Sequence, residues 1–375
     1  MVGNSIAYTG AFKAALQEAA SLSDQYEYLF CMPSGSILTN ELERLGYKTY
    51  TLPMLEIGRS FKKIFLYFPR LVANAFRLKD ILRKENIDLI HINDFYNLIG
   101  SAAKMLGYKG KLITHVRFLP SSRPFYLRKC WSFIAQLYSD RVICVSDAVL
   151  SEMRDQKNTV RIYNSISFEE KIQNEVEKNA RPDDPVGREN EISILYLSNY
   201  IPGKGLNYAL EAFALAYKEQ TDLRLNFFGG DMGLRKNERY KAQLLQRAKE
   251  LGIDNVVQFG EFVTEPERII KEADIVLNFS EAESFSMTCA EASYYGRPVI
   301  ATRCGGPEEI IEHNYSGLLV ENRNVQEMKE AILRLSRNKY IREEMGKAGR
   351  KIVREKFTES LFKNEFSKLL GEVLA

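Results

Sequence analysis

Apolar and polar positions follow two alternating rhythms along this chain. Short apolar runs, too brief for a buried helix, fall at 26–32, 48–52, 88–92, 111–115, 141–145 and 159–163 in the first half. In the second half they fall at 194–197, 223–228, 256–259, 274–279, 298–302 and 317–320. Stretches of helical period fill the gaps, and this alternation predicts two parallel, doubly wound α/β sheets. Residues 167–191 break the rhythm: they are charged, poor in apolar residues, and contain Pro182, Pro185 and Gly187. A linker is expected there. The predicted organisation is a first domain over 1–166, the linker over 167–191 and a second domain over 192–357, with a last helix over 358–375 returning to the first. At 375 residues each half can bury its own core.

The start of the chain is unusual for such a pattern. Residues 3–10 (GNSIAYTG) read as the glycine turn that follows a first, central strand, and a helix is expected over 11–21. Only Met1 and Val2 precede the turn. Two readings stand: a reading frame that begins upstream, or a two-residue stub that closes the sheet.

Composition narrows the class. With 45% hydrophobic and 27% charged residues the chain reads as a globular protein, and no run is long enough to cross a bilayer. Residues 1–10 lack a basic segment followed by an apolar one, so a cytoplasmic location is expected. Five cysteines without a CxxC pair read as reduced thiols. Three histidines without ligand spacing predict no metal site.

The net charge of +3 conceals an imbalance: residues 1–165 hold 22 Lys/Arg against 14 Asp/Glu, a surplus of +8. Much of it lies in 59–84, where eight basic residues accompany one acid, Asp80. Phe61, Ile64, Phe65, Phe68, Leu71, Val72, Ala75 and Phe76 recur there at near-helical spacing, and Pro69 should start or kink the helix. One reading buries the aromatic stripe in the core. The other lays the segment on an anionic membrane, at about 1 kcal/mol per basic residue near the surface. No nucleic-acid partner is expected.

The densest chemistry lies in residues 280–309. Glu283 and Glu291 are separated by seven residues, and a turn of small residues between them opens a helix that Gly296 stops. Gly305, Gly306 and Pro307 open another after the following strand. Both helix starts sit at carboxyl ends of strands, where open α/β sheets bind ligands and free amides favour a diphosphate. The carboxylates can accept hydrogen bonds from vicinal hydroxyls. A sugar nucleotide presents both kinds of group.

This segment resembles family 4 of the glycosyltransferases, retaining enzymes of the GT-B fold with two facing Rossmann-like domains. The resemblance implies an acceptor-binding first domain over 1–166 and a nucleotide-sugar-binding second domain over 192–357. The resemblance rests on Glu283 and Glu291, on Gly296 and Pro298, and on Gly305, Gly306, Glu308 and Glu309. It extends to Pro202, Gly203, Lys204 and Gly205, which look like the family's lysine-bearing loop, and to the turn Phe228, Gly229, Gly230 and Asp231. Residues 258–263, including Phe262, resemble the segment whose backbone reads the donor base. Asn164-Ser165 resembles the turn ending the first domain, and Val145-Ser146-Asp147 the strand-to-helix turn before it.

The resemblance implies roles. Glu283 and the amides of Ser284, Phe285, Ser286 and Met287 would hold hydroxyls of the transferred sugar, and Glu291 the ribose diol. Phe285 itself is expected to pack under the loop. Lys204, beside Gly205, would neutralise donor phosphate, helped by the helix starts at Ser284 and Gly305. Gly230, Phe262 and Gly10 would line the donor site. His115 would lie near the sugar's 6-position, so Glu283, His115 and Lys204 are the candidate catalytic residues. His91 reads as a hydrogen-bonded structural residue. The family's usual arginine is replaced by Asn199, which cannot copy its planar fork, so Arg117 or Arg123 could supply the missing charge.

No cofactor beyond the nucleotide-diphosphate sugar is implied. The implied acceptor is a saccharide or a lipid-linked saccharide, in bacterial cell-surface polysaccharide synthesis. Two alternatives stay open on the same scaffold: a catalytically silent partner subunit and a sugar-nucleotide epimerase. A nicotinamide-dependent oxidoreductase is excluded by the lack of a G-x-G-x-x-G turn.

Overall fold

The computed structural model describes residues 1–55, 61–153, 157–166 and 191–375, with backbone alone at 61–64. They form two compact units, Met1–Ser165 with Glu359–Ala375, and Ile166–Thr358. The expected linker lies outside the described residues except for Glu191. Its carboxylate accepts from Arg224 Nε at 2.9 Å and Nη2 at 2.6 Å.

The first unit holds β1 (Leu29–Pro33), β2 (Lys48–Leu52), β3 (Leu89–Asn93), β4 (Lys111–Val116), β5 (Arg141–Cys144) and β6 (Thr159–Arg161). β1 pairs with β2, and β3 to β6 pair in sequence, all in parallel. The first residues of the chain join the two groups. Val2 N donates to His91 O at 2.8 Å, Val2 O accepts from Asn93 N at 2.9 Å, and Cys31 N donates to Met1 O at 2.8 Å. Val2 thus bridges β1 and β3 at the centre of the sheet. From this stub the chain builds β1 and β2 to one side, then crosses to β3. β1 begins later than its apolar run because Tyr26 N still bonds Leu22 O at 2.9 Å, in the turn that ends the preceding helix.

Helix Gly10–Ser21 is capped by Thr9, whose side chain accepts from Phe12 N. Helix Glu359–Leu374 buries Phe362, Phe366 and Leu370 against Leu22, Ile113, Ile143 and Ile162. Helix Phe61–Lys84 runs through Pro69 without ending. It buries Tyr67, Ala75 and Leu78 but leaves Phe65, Phe68, Val72 and Phe76 exposed. Only part of its apolar sequence therefore faces a core. Among the described residues, no helix is long and apolar enough to cross a membrane.

The second unit is one six-stranded parallel sheet of β7 (Ile192–Leu197), β8 (Leu223–Phe228), β9 (Val257–Phe259), β10 (Ile275–Asn278), β11 (Val299–Thr302) and β12 (Gly317–Val320). Its order is β12-β11-β10-β7-β8-β9. β10 and β11 are buried at every residue, as expected for central strands covered on both faces. β8 and β9 extend from one side of β7, and β10 to β12 from the other. The order reverses between β7 and β10, and a crevice opens at the carboxyl ends of strands on either side of such a reversal.

Candidate active site

Lys204 lies in the loop leaving β7, next to that reversal. The loop is shaped by Gly205, which caps helix Leu206–Tyr217 in the left-handed region at φ 74°. A Cβ there would stand 1.9 Å from Phe279 O, so only glycine lets the loop pass the end of β10. The phenol of Tyr196, buried in β7, ties the same two pieces. It donates to Lys204 O at 2.5 Å and accepts from Phe279 N at 2.7 Å. Burial raises the Tyr196 pKa well above the usual phenol range, so the phenol stays a neutral donor.

Glu283 follows β10 and meets this lysine. Its Oε1 accepts from Lys204 Nζ at 2.7 Å and from Ser280 Oγ at 2.8 Å. Side-chain exposure is 33% for Lys204 and 14% for Glu283, so water and solutes reach the pair. The loop after β11 fixes the backbone of Glu283: its N–H donates to Cys304 O at 3.1 Å, and its carbonyl accepts from Gly306 N at 2.8 Å. This last bond corrects one expectation. The second helix start offers no free pair of amides, because Gly306 N is engaged here and Gly305 N donates to Glu308 Oε2 at 3.0 Å. The helix it opens, Pro307–Ile310, is also only four residues long.

Helix Met287–Tyr294 begins at Ser286, which holds φ 76° and accepts at Oγ from Cys289 N. Asn278 Nδ2 donates to the same hydroxyl at 2.8 Å, and Asn278 Oδ1 accepts from Ser280 N at 3.1 Å. The last residue of β10 therefore holds both ends of the turn. The first-turn amides precede any intrahelical acceptor and carry the positive end of the helix dipole. The Phe285 ring is buried against Phe357 at 5.2 Å, as expected for a residue under the loop, so its side chain is not a donor contact. Thr288 Oγ1 donates to Leu197 O at 3.3 Å, which turns this face of the helix toward the end of β7. Glu291 stands one turn on and is buried.

On the other side of β7, Asn199 Oδ1 accepts from Gly230 N at 3.0 Å, and a Cβ on Gly230 would lie 3.3 Å from Phe262 Cβ. Asn199, Gly230 and Phe262 thus meet at the ends of β7, β8 and β9. Asn199 acts here as a brace between loops. The assembled site offers an amine, a carboxylate, a helix N-terminus and a braced glycine turn at one topological reversal.

The profile described as "Glycosyl transferases group 1" matches residues 177–352, and "Glycosyltransferase Family 4" matches residues 19–170. This chain belongs to the family 4 glycosyltransferases. Among relatives, N-acetyl-alpha-D-glucosaminyl L-malate synthase of Bacillus anthracis is 25% identical over 324 residues, 83% of this chain and 81% of its own. Poly(ribitol-phosphate) alpha-N-acetylglucosaminyltransferase of Staphylococcus aureus is 26% identical over 168 residues, 44% of this chain and 33% of its own. The crystal structure of Anabaena HepE with UDP and glucose superposes with a TM-score of 0.80 at 19% identity, covering 99% of this chain and 98% of that one. The fold class is GT-B.

In this glycosyltransferase the candidate residues of the first unit are placed differently. His115 is a correction: its imidazole is 0% exposed, stacked on His91 at 5.5 Å and on Phe366 at 6.1 Å, so it is not placed to touch a substrate. Both rings surround Glu18, a residue the sequence reasoning passed over. His91 Nδ1 lies 2.9 Å from Glu18 Oε1, and His115 Nδ1 3.4 Å from Oε2. Arg117 completes the cluster, donating from Nη2 to Glu18 Oε2 at 2.8 Å and from Nη1 to Asn164 Oδ1 at 2.8 Å, and from Nε to Asn93 Oδ1 at 2.5 Å. Arg117 is thereby committed within its own unit and does not replace the missing phosphate-binding arginine.

The atoms of Glu18, His91 and His115 lie close enough together for a metal. The guanidinium stands where a cation would bind, 3.1 Å from His115 Nδ1. Burial and the neighbouring Arg117 push the His115 pKa down to about 3, and its histidine and arginine neighbours hold Glu18 far below the carboxylate range despite burial. Gly10, expected at the donor, is exposed at the start of helix Gly10–Ser21, and a Cβ there would meet nothing within 4 Å.

Proposed function

We propose that this protein is a retaining glycosyltransferase of the hexosyl type that takes its sugar from a nucleotide diphosphate. Lys204 and the N-terminus of helix Met287–Tyr294 would receive the diphosphate, Glu283 a sugar hydroxyl and Glu291 the ribose diol. Gly230 and Phe262 would border the base. The bond from the anomeric carbon to the diphosphate breaks while the acceptor oxygen attacks from the same face, and the acceptor proton passes to the departing phosphate. The protein's share is positioning and charge stabilisation. The observation that carries this reading is the 2.7 Å Lys204–Glu283 pair at the reversal between β7 and β10. On donor binding, Lys204 is shared between Glu283 and phosphate. UDP, present in the HepE structure, is the first nucleotide to test.

The acceptor we propose is a saccharide or lipid-linked saccharide of the bacterial cell surface, reached at the membrane. Phe65, Phe68 and Phe76 are 77%, 63% and 52% exposed on one stripe of helix Phe61–Lys84. Lys79 Nζ lies 5.9 Å from the Phe76 ring, and exposed Arg83 follows Phe76 two turns on. Such a face matches an anionic lipid surface. A panel of sugar nucleotides tests the reading. Slow release of free nucleotide from one donor, lost in Lys204→Ala, is expected; no release from any donor would favour a silent subunit. Sedimentation with anionic vesicles, reduced in Phe65→Ser/Phe68→Ser, tests the surface.

A further inference from the structure

Glu281 precedes Glu283 by two residues and is tied to the loop that carries Lys204. Its N–H donates to Gly203 O at 2.9 Å. Its carbonyl accepts from Asn322 Nδ2 at 2.8 Å, in the loop that follows β12. The carboxylate reaches two further groups: Oε1 accepts from the Tyr208 phenol at 2.8 Å, and Oε2 from Arg323 Nη2 at 2.6 Å. Tyr208 stands in the first turn of helix Leu206–Tyr217, whose N-cap Gly205 follows Lys204. One residue thus ties the lysine loop, the helix that this loop opens and the end of β12 to the segment bearing Glu283.

The lysine loop needs such outside ties. Gly203 and Gly205 flank Lys204, and both lie in the left-handed region at φ 89° and 74°. Glycine admits many backbone conformations, so the residues beside Lys204 restrict it little. Tyr196 ties the carbonyl of Lys204 to β10. Glu281 secures the neighbours of that lysine, Gly203 directly and the helix after Gly205 through Tyr208. The two carboxylate bonds differ in worth. Arg323 is 66% exposed and the Glu281 side chain 32%, so water screens that ion pair and it contributes little. The Tyr208 ring packs against the core of the unit, which gives its hydroxyl a fixed place from which to hold Oε1. Burial alone would raise the Glu281 pKa, but the bonds from Tyr208 and Arg323 bring it below the ordinary carboxylate value. The phenol therefore donates to an ionised oxygen at neutral pH, the stronger kind of hydrogen bond.

We infer that Glu281 is a positioning residue for the donor: through Tyr208 and Gly203 it sets where Lys204 presents its ammonium group to a nucleotide diphosphate. This role rests on the reading of Lys204 as the phosphate ligand and deepens it, because Glu281 acts only through the lysine.

Calorimetric titration of the full chain with UDP, GDP and ADP identifies the tightest of the three, and a double-mutant cycle is run with that nucleotide. Glu281→Ala should weaken its binding about tenfold, and Tyr208→Phe, which keeps the packed ring, about threefold, because a small misplacement of a binding group is costly. Glu281→Gln keeps an oxygen for the phenol and should lose less than Glu281→Ala. In the Lys204→Ala background, Glu281→Ala should add less than about twofold, since the group it positions is gone. Equal losses from Glu281→Ala in both backgrounds would mean that the carboxylate serves the fold or meets the ligand itself, and would overturn the inference. Affinities unchanged in both Glu281→Ala and Tyr208→Phe would overturn it as well. Lys204→Ala binding as tightly as the parent would instead overturn the donor reading, and the role of Glu281 with it.

Discussion

Each unit gathers opposite charges at the carboxyl end of its sheet, and the two gatherings differ in what surrounds them. In the first unit Glu18 is enclosed by His91, His115 and Arg117, all buried, and each bond of the carboxylate is made inside the protein. In the second unit Lys204 and Glu283 meet through one short contact that solvent reaches. A closed network holds strands and helix together, and none of its carboxylate's bonds is open to a solute. An open pair can exchange its partner for a ligand at little cost, because an accessible ion pair is itself worth only about 0–1 kcal/mol. Charge alone marks neither a site nor a strut; accessibility separates them.

The sharpest way to break this comparison is to remove the closed carboxylate. Glu18→Ala strands the Arg117 guanidinium in the interior, which costs about 3–5 kcal/mol when one partner of a buried pair is lost. Urea unfolding should show that loss directly. A change below about 1 kcal/mol would mean the cluster is hydrated and the distinction false.

The open pair should respond in the opposite sense. Lys204→Ala and Glu283→Gln are expected to change stability by less than about 1 kcal/mol. Each should lower turnover by about 10²–10³, the usual effect of removing one group that stabilises developing charge. Turnover within threefold of the parent in either variant would remove that residue from the mechanism.

The same contrast explains what could be read from the sequence. Lys204, Gly205 and Glu283 were legible because a glycine-flanked turn after an apolar strand fixes its own geometry within a few residues. The two parallel, doubly wound sheets followed from the alternation of short apolar runs with helical stretches. Tyr196 and Asn278 were not legible: a tyrosine within β7 reads as core, and its bonds to Lys204 O and Phe279 N exist only once β7 and β10 lie side by side. His115 misled because a histidine at a strand end looks alike whether it faces a crevice or a core. Only the return of helix Glu359–Leu374, which brings Phe366 onto its ring, decides between them. Glu18 was hidden in a helix whose partners come from β3 and β4, some seventy to a hundred residues away.

Tyr196 gives a smaller test that links the fold of the second unit to its site. Tyr196→Phe keeps the ring and removes only the bridge between Lys204 O and Phe279 N. A buried amide and carbonyl then lose their partner, at about 1–3 kcal/mol. Because the bridge positions the lysine loop, turnover should fall as well, with Glu283 untouched. Unchanged stability together with reduced turnover would show that the phenol reacts rather than braces.

The finest distinction is one of pH, and it lies in the first unit. Burial pushes the Asp94 carboxyl up to about 7, with the amides of Arg117 and Phe95 offsetting only part of the cost. The unfolded chain loses this proton near the ordinary value of 3.8. Its contribution to stability is therefore complete below about pH 4 and is lost as pH rises through 7. His115 works the other way: its folded value is depressed, so its contribution is complete above the ordinary 6.5 and is lost as pH falls toward 3. Asp94→Asn keeps an acceptor oxygen for both amides and tolerates the residue's φ of 107°. It should be neutral at pH 4 and stabilising by at least about 1 kcal/mol at pH 8, given 1.36 kcal/mol for each pKa unit. Equal stabilities at both pH values would show that Asp94 ionises freely, and the closed character of the first unit would then end at Glu18.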